Sequence, residues 1–231
     1  RSNLASILTD CPHREKLGWL EVAHLMQYAM QYRYQLNGLY SKVMGDIKDS
    51  QTPEGIVPSI APEYVRFADG FENSPEWGSA FIIIPWYIYK WYGDKSLLSA
   101  YYPYMKRYLE YLSTRADDYI VAYGLGDWFD LGPKHPGYSQ LTSNGVTSTG
   151  MYYYNATIMS QIAELLGEEK DEERFTQLAA CIRKAIPRLS NMTAIVRRQT
   201  QSLYILAWWK NIIGKLYFRT WLMIFRTVNM R

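Results

Sequence analysis

Apolar residues recur at helical spacing in five separate stretches of this chain, and no alternating pattern of useful length accompanies them. A period near 3.6 gives each segment one apolar stripe to bury, whereas a sheet needs a period of two. The chain is therefore restricted to helix-on-helix packing. Trp19, Ala23, Met26 and Met30 predict an amphipathic helix over 18–36 that stops at Asn37-Gly38. Trp77, Phe81, Ile84, Ile88 and Trp91 predict a second, kinked at Pro85 and broken by Gly93-Asp94. Leu98, Tyr101, Met105, Tyr108 and Leu112 predict a third, with Pro103 as a kink or a fresh start. Met151, Asn155, Ile158, Ile162 and Leu165 predict a fourth, closed by Gly167. Phe175, Leu178, Ile182 and Ile186 predict a fifth, stopped by Pro187; acids open it and Arg183 and Lys184 close it, the polarity a helix dipole favours. Residues 45–75 and 123–147 are rich in glycine, proline and small polar residues and read as long loops, which in a compact domain are usually functional. The expected fold class is all-α, with helices paired by turns as in a toroid; no fixed-period repeat points to a solenoid.

Charge divides the chain. Residues 1–187 hold 17 Lys and Arg against 22 Asp and Glu, while 188–231 hold eight basic residues and no acid. A block of this kind suggests a nucleic-acid or membrane arm. Trp208, Trp209, Phe218, Trp221 and Phe225 fit neither a soluble arm nor a regular amphipathic helix. We therefore divide the chain into a helical domain over 1–187 and an aberrant basic, aromatic tail over 188–231, such as a shifted reading frame would leave.

Several classes drop out. The chain is 48% hydrophobic and 20% charged, enough to bury a core. Two cysteines, Cys11 and Cys181, exclude a disulfide framework and a purely cysteine-based zinc site. The longest apolar run, Ala80 to Tyr89, contains Pro85 and is too short to span a bilayer, and no cleavable signal opens the chain. His13, His24 and His135 lack metal-ligand spacing, and Gly124-Leu125-Gly126 is not followed by a phosphate-loop pattern. No metal and no bound nucleotide are expected, and no nucleic-acid partner.

The densest chemistry lies between Asp10 and Glu21, where Asp10, Glu15 and Glu21 share a short stretch with Cys11, His13, Arg14 and Trp19. A glycosidase needs such a set. One carboxylic acid protonates the leaving oxygen, other carboxylates and an arginine grip sugar hydroxyls, and an indole packs on the apolar face of the ring. A helix cap at Asp10 followed by solvated charges is the plain alternative. Cys11 near His13 lacks a third orienting group for a thiol nucleophile, and a buried structural cysteine suits it better. Glu76-Trp77 and Asp127-Trp128 each place an acid beside a tryptophan at a loop–helix junction, where a cap and a core indole would look the same.

The run Asp10-Cys11-Pro12-His13-Arg14-Glu15-Lys16-Leu17-Gly18-Trp19 resembles the signature of the bacterial α-L-rhamnosidases, inverting glycoside hydrolases with an (α/α)6-barrel catalytic domain. Pro75-Glu76-Trp77-Gly78-Ser79-Ala80, Pro85-Trp86, Tyr92-Gly93-Asp94, Tyr102-Pro103-Tyr104-Met105-Lys106 and Gly126-Asp127-Trp128 follow in the same order, so the resemblance covers about 4–187. It implies that Glu15 is the general acid, that Asp10, Arg14, Trp19 and Glu21 form the sugar site, and that Trp77, Asp127 and Trp128 add to it. It implies no cofactor. The implied substrates are terminal α-L-rhamnosides in glycosides, oligosaccharides or polysaccharides.

The resemblance has gaps. The family's general base is a second glutamate on a downstream loop, and no acid follows Glu173 here. Gln199 to Ala207 looks like a family helix, but its flanks do not. The five stretches amount to about half of a twelve-helix barrel, and Arg1 falls inside the family's first helix. The expectation is a partial barrel, inactive alone, that self-associates through unburied helix faces. A non-catalytic carbohydrate-binding or remnant protein is the alternative.

Overall fold

The computed structural model describes residue 4 and residues 6–192. Seven helices run in order: α1 (Leu20–Met30), α2 (Asn37–Ser50), the single turn α3 (Pro75–Gly78), α4 (Ala80–Tyr92), α5 (Ser96–Thr114), α6 (Asn144–Leu166) and α7 (Glu169–Ala185), followed by a 3-10 segment over Ile186–Met192. Among the described residues there is no strand, only three isolated bridges.

Short connections pair the helices into three hairpins, α1/α2, α4/α5 and α6/α7. Helix α4 is the hub: α1, α2, α5 and α6 all pack on it, α2 also packs on α5, and α7 packs on α6; α1, α4 and α6, joined through α4, make the inner layer. The middle position of α4 explains its composition. Ala80, Phe81, Ile82, Ile83, Ile84, Pro85 and Ile88 are all buried, so the helix is apolar around most of its circumference. It runs through Pro85, and α5 runs through Pro103, which is interior rather than in a first turn. Gly93 (φ 71) and Gly167 (φ 78) end α4 and α6 in the left-handed conformation, as the sequence predicts.

Two elements depart from expectation. Helix α1 stops at Met30, and Asn37-Gly38 opens α2 instead of ending α1. Tyr40, Val43, Met44 and Ile47 are the buried stripe of α2, extended by Leu36 just before it and diluted in sequence by Gly38, Gly45, Asp46 and Asp49. The Tyr40 hydroxyl donates to the Ala23 carbonyl (2.7 Å) and ties the hairpin together. Helix α6 begins at Asn144, well before Met151, through residues of poor helix propensity. Their polar groups are used by tertiary hydrogen bonds: Thr149 Oγ1 donates to the Val121 carbonyl and accepts from the Val121 N–H (both 3.0 Å), and Asn144 Nδ2 donates to the Gly124 carbonyl (2.7 Å).

The connections are unequal. Within hairpins they are short, at 31–36, 93–95 and 167–168; between hairpins they are long, at 51–74 and 115–143. Both long connections, and the segment 10–19, lead into the N-terminal ends of α1, α3–α4 and α6. The candidate residues therefore gather at one end of the inner layer.

Candidate active site

The loop before α1 is closed on the Cys11 carbonyl, which accepts the N–H of Arg14 (3.2 Å) and of Lys16 (3.0 Å). Lys16 takes a left-handed conformation, φ 58. Gly18 then passes so close to the 59–61 segment that a Cβ there would lie 2.5 Å from the Ala61 carbonyl oxygen. Hydrogen bonds from Ala61 N–H to Gly18 and from Leu20 N–H to Ser59, both 3.0 Å, fix that crossing. The glycine before Trp19 thus sets how Glu15 and Trp19 face the long loop.

Glu15 is partly buried. Its Oε2 lies 2.8 Å from Arg14 Nε and its Oε1 accepts Trp19 Nε1–H at 3.3 Å. The Arg14 hydrogen bond, opposed by partial burial, holds the Glu15 carboxyl below its usual range. A general acid must carry a proton to react, whereas with Arg14 docked Glu15 is a carboxylate. Arg14 itself is 73% exposed in its side chain and reaches Cys11 Sγ at 3.3 Å with Nη2. Cys11 is partly exposed, not the buried structural cysteine expected. One ligand-type atom from each of Asp10, Cys11 and Glu15 lies within 4.8 Å of the others. Arg14 bridges two of them, so a cation already serves that cluster.

Glu21, in the first turn of α1, has the opposite environment. It keeps partial solvent access yet is enclosed by protein, as a residue on the floor of a cleft would be. Burial, then the charges of Glu76, Asp127 and Asp10, push its carboxyl up to about 8. Asp127 is raised too, by burial and by Asp130. Asp10, Glu21, Glu76 and Asp127 therefore form one electrostatically coupled group drawn from three segments far apart in sequence.

An aromatic wall adjoins this group. Trp19 stacks on Phe67 (centroids 5.5 Å apart, 22° between planes), Phe67 meets Phe71 at 6.1 Å, and Phe71 meets Trp128 edge-on at 5.0 Å. Tyr138 closes the set, 5.6 Å from both Phe71 and Trp128. Trp19 and Trp128 both meet Phe71, which joins the two motif tryptophans in one aromatic cluster. Phe67, Phe71 and Tyr138 carry no period or motif that could have announced them. Trp77 is a correction: it is 4% exposed and belongs to the hydrophobic core, so it offers almost no surface to a sugar. The cause is its position in α3, the turn wedged between α1, α4 and α6.

The Asp127–Trp128 loop is held by Asp130, whose Oδ2 accepts the N–H of Gln140 (2.9 Å) and Leu141 (2.8 Å). Of the histidines, His13 and His135 are exposed and His24 is buried, its Nε2 2.8 Å from the Glu76 carbonyl. A carbonyl only accepts, so His24 carries its proton on Nε2; burial pushes its pKa down to about 4 and keeps it neutral.

The family model for the bacterial alpha-L-rhamnosidase six-hairpin glycosidase domain matches residues 1–216. The chain belongs to that family. The match continues past the boundary at 187 that the motifs suggested; nearly all of 188–231 lies outside the described residues. An alpha-L-rhamnosidase of Streptomyces avermitilis is 29% identical over 216 residues, 92% of this chain and 20% of that protein. One from an Alteromonas species is 28% identical, over 90% of this chain and 23% of that protein. Among solved structures, the alpha-L-rhamnosidase of Dictyoglumus thermophilum superposes with a TM-score of 0.75 at 36% identity, over 81% of this chain and 21% of that one. The Streptomyces avermitilis enzyme complexed with L-rhamnose gives 0.69 at 29% identity, over 80% and 17%. The chain spans about a fifth of the length of its curated relatives. The three hairpins are part of an α/α barrel, and the chain is glycoside-hydrolase-like.

Proposed function

We propose that this chain carries the general-acid side of a site that hydrolyses terminal α-L-rhamnosides with inversion. The observation that carries the reading is the convergence, at one end of the inner helices, of the Asp10–Glu21 segment with Asp127 and Trp128. It joins Glu15 on its arginine, the raised carboxyls of Glu21 and Asp127, and an aromatic wall at one end of the helices. Family membership and the rhamnosidase relatives support the substrate class.

Glu15 is the proposed donor. In the resting site Arg14 holds it ionised. A rhamnose hydroxyl that draws the exposed guanidinium away removes the contact that holds the carboxyl low, and Glu15 takes up a proton from solvent before the site closes over the sugar. The proton passes from Glu15 to the glycosidic oxygen as the bond to the anomeric carbon breaks. Water then attacks from the opposite face and loses its proton to a second carboxylate. No acid follows Glu173, so the downstream glutamate that the family resemblance implies has no counterpart in these 231 residues, and the chain alone is proposed not to turn over in water. A second donor has one observation in its favour: Glu21, raised to about 8, is the site carboxyl that holds a proton near neutrality.

Azide separates these readings, because it attacks the anomeric carbon without a base. The expected outcome is saturable L-rhamnose binding and azide-dependent cleavage of an alkyl α-L-rhamnoside, giving the azide of inverted configuration. Glu15→Gln should abolish cleavage and keep binding. Loss in Glu21→Gln but not in Glu15→Gln moves the donor to Glu21. A chain that neither binds rhamnose nor cleaves with azide sinks the reading.

A further inference from the structure

Glu76 is 3% exposed, sits in the turn α3, and has no sugar-facing surface. Its two oxygens have different partners, and a count of protons distinguishes them. Ser74 Oγ lies 2.6 Å from Oε2 and accepts the Leu125 N–H at 2.9 Å, so its own proton is free to go to Oε2. Ser148 Oγ lies 3.0 Å from Oε1 and 2.6 Å from the Tyr123 carbonyl. A hydroxyl has one proton and a carbonyl has none. The shorter contact takes the serine proton to Tyr123, and the bond between Ser148 and Oε1 then needs a proton from Glu76. Thr147, the other hydroxyl facing the carboxyl, has its own carbonyl acceptor in Asn144 at 3.2 Å.

We infer that Glu76 is a neutral carboxylic acid that donates through Ser148 to the Tyr123 carbonyl, and that this proton-bearing chain positions the loop carrying Asp127 and Trp128. The residue acts through the loop and touches no substrate.

The backbone supports the assignment. At Gly124, φ 105, a Cβ would lie 2.5 Å from Ser74 Oγ and 3.2 Å from Glu76 Oε2, so the loop is threaded directly over the carboxyl. Glu76 thus links three segments: α1 through His24, α6 through Ser148, and 123–125 through Tyr123 and Leu125. The titratable groups facing it are Glu21 and His24 on α1 and Tyr108 on α5. None is a cation, since His24 is neutral. Burial pushes the Glu76 carboxyl up and outweighs the lowering by the hydroxyls of Ser74, Thr147 and Ser148 and by its own backbone N–H.

A glutamine reproduces the neutral acid: its amide N–H can donate to Ser148 and its oxygen can accept from Ser74. The test uses the 231-residue chain near neutral pH. Infrared difference spectra of wild type against Glu76→Gln should show a protonated-carboxyl stretch that disappears in that variant and survives in Glu21→Gln. Exchange of the Leu125 amide should stay within about threefold of wild type in Glu76→Gln and rise at least about tenfold in Glu76→Ala. A carboxylate stretch assigned to Glu76, or Glu76→Gln exchanging as fast as Glu76→Ala, overturns the inference. Should Glu76→Ala fail to fold, the infrared band and Glu76→Gln exchange still decide. The inference rests on the proposed hydrolase reading only in what the loop is for. Absent cleavage with the band present would therefore count against that reading and leave the neutral acid standing.

Discussion

Acids in two regions of this molecule are treated in opposite ways. On the outer seam, Asp171 of α7 meets Lys106 of α5, with Nζ 2.8 and 2.7 Å from its two oxygens, and the Tyr102 hydroxyl at 3.0 Å. Burial pushes the Asp171 carboxyl up, but the hydrogen bonds from Lys106 and Tyr102 and the charges of Lys106 and Arg174 outweigh it and hold the group below its usual range. At the loop-bearing end of the inner helices, Glu21, Glu76 and Asp127 are all raised, and the charges weighing most on Glu21 are other acids. A paired acid lowers the energy of the fold. A crowded group of acids raises it, and persists where loops and packing over-determine the geometry. Glu15 lies between these cases, crowded by position yet neutralised by a removable arginine.

The largest effect that would sharpen this contrast is chemical. Glu15→Gln should lower azide-dependent rhamnoside cleavage by about 10²–10⁴-fold, the usual worth of a positioned general acid, without shifting Tm. Asp171→Ala should cost about 1–3 kcal/mol in a denaturant melt near neutral pH, because it leaves the half-buried Lys106 and the buried Tyr102 without their acceptor. The Asp171 pKa is depressed in the folded state, so its contribution is present above the ordinary carboxylate range and vanishes as pH falls through the folded value. Wild type and variant should therefore converge in acid.

Glu21 should show the reverse sign. Its folded pKa is raised from 4.5 to about 8, so its favourable contribution is full below the ordinary value and is lost as pH rises through about 8. Glu21→Gln should match wild type in acid and exceed it by about 4 kcal/mol near pH 9, read from parallel denaturant melts. Wild-type stability that rises with pH across that range would remove the contrast between the regions. The smallest effect on stability belongs to Arg14→Gln, because solvent screens an exposed ion pair. Tm should stay put while the Glu15 carboxyl titrates higher in a carbon NMR titration.

Much of this was legible in advance, and the exceptions share a cause. Four of the five apolar stripes mark α4 to α7, and the helix stops at Gly93 and Gly167 fall where left-handed residues are needed. Helix α2 was hidden because its stripe is interrupted by glycines and aspartates, and the start of α6 because its small polar residues favour helix only once Val121 and Gly124 accept their hydrogen bonds. The motif tryptophans parted company: Trp19 and Trp128 line the wall, while Trp77 went to the core.

What the sequence determined by itself was the helical class, the succession of α4 to α7 and the short segment in which Asp10, Glu15, Trp19 and Glu21 travel together. These follow from local spacing, which a single helix or loop can express. Tertiary structure alone decided which acids share a field, which carboxyl holds a proton, and that Phe67, Phe71 and Tyr138 complete the wall. Burial and charge–charge coupling depend on distances between segments, and the segments meeting here lie as far apart as Asp10 and Ser148 along the chain.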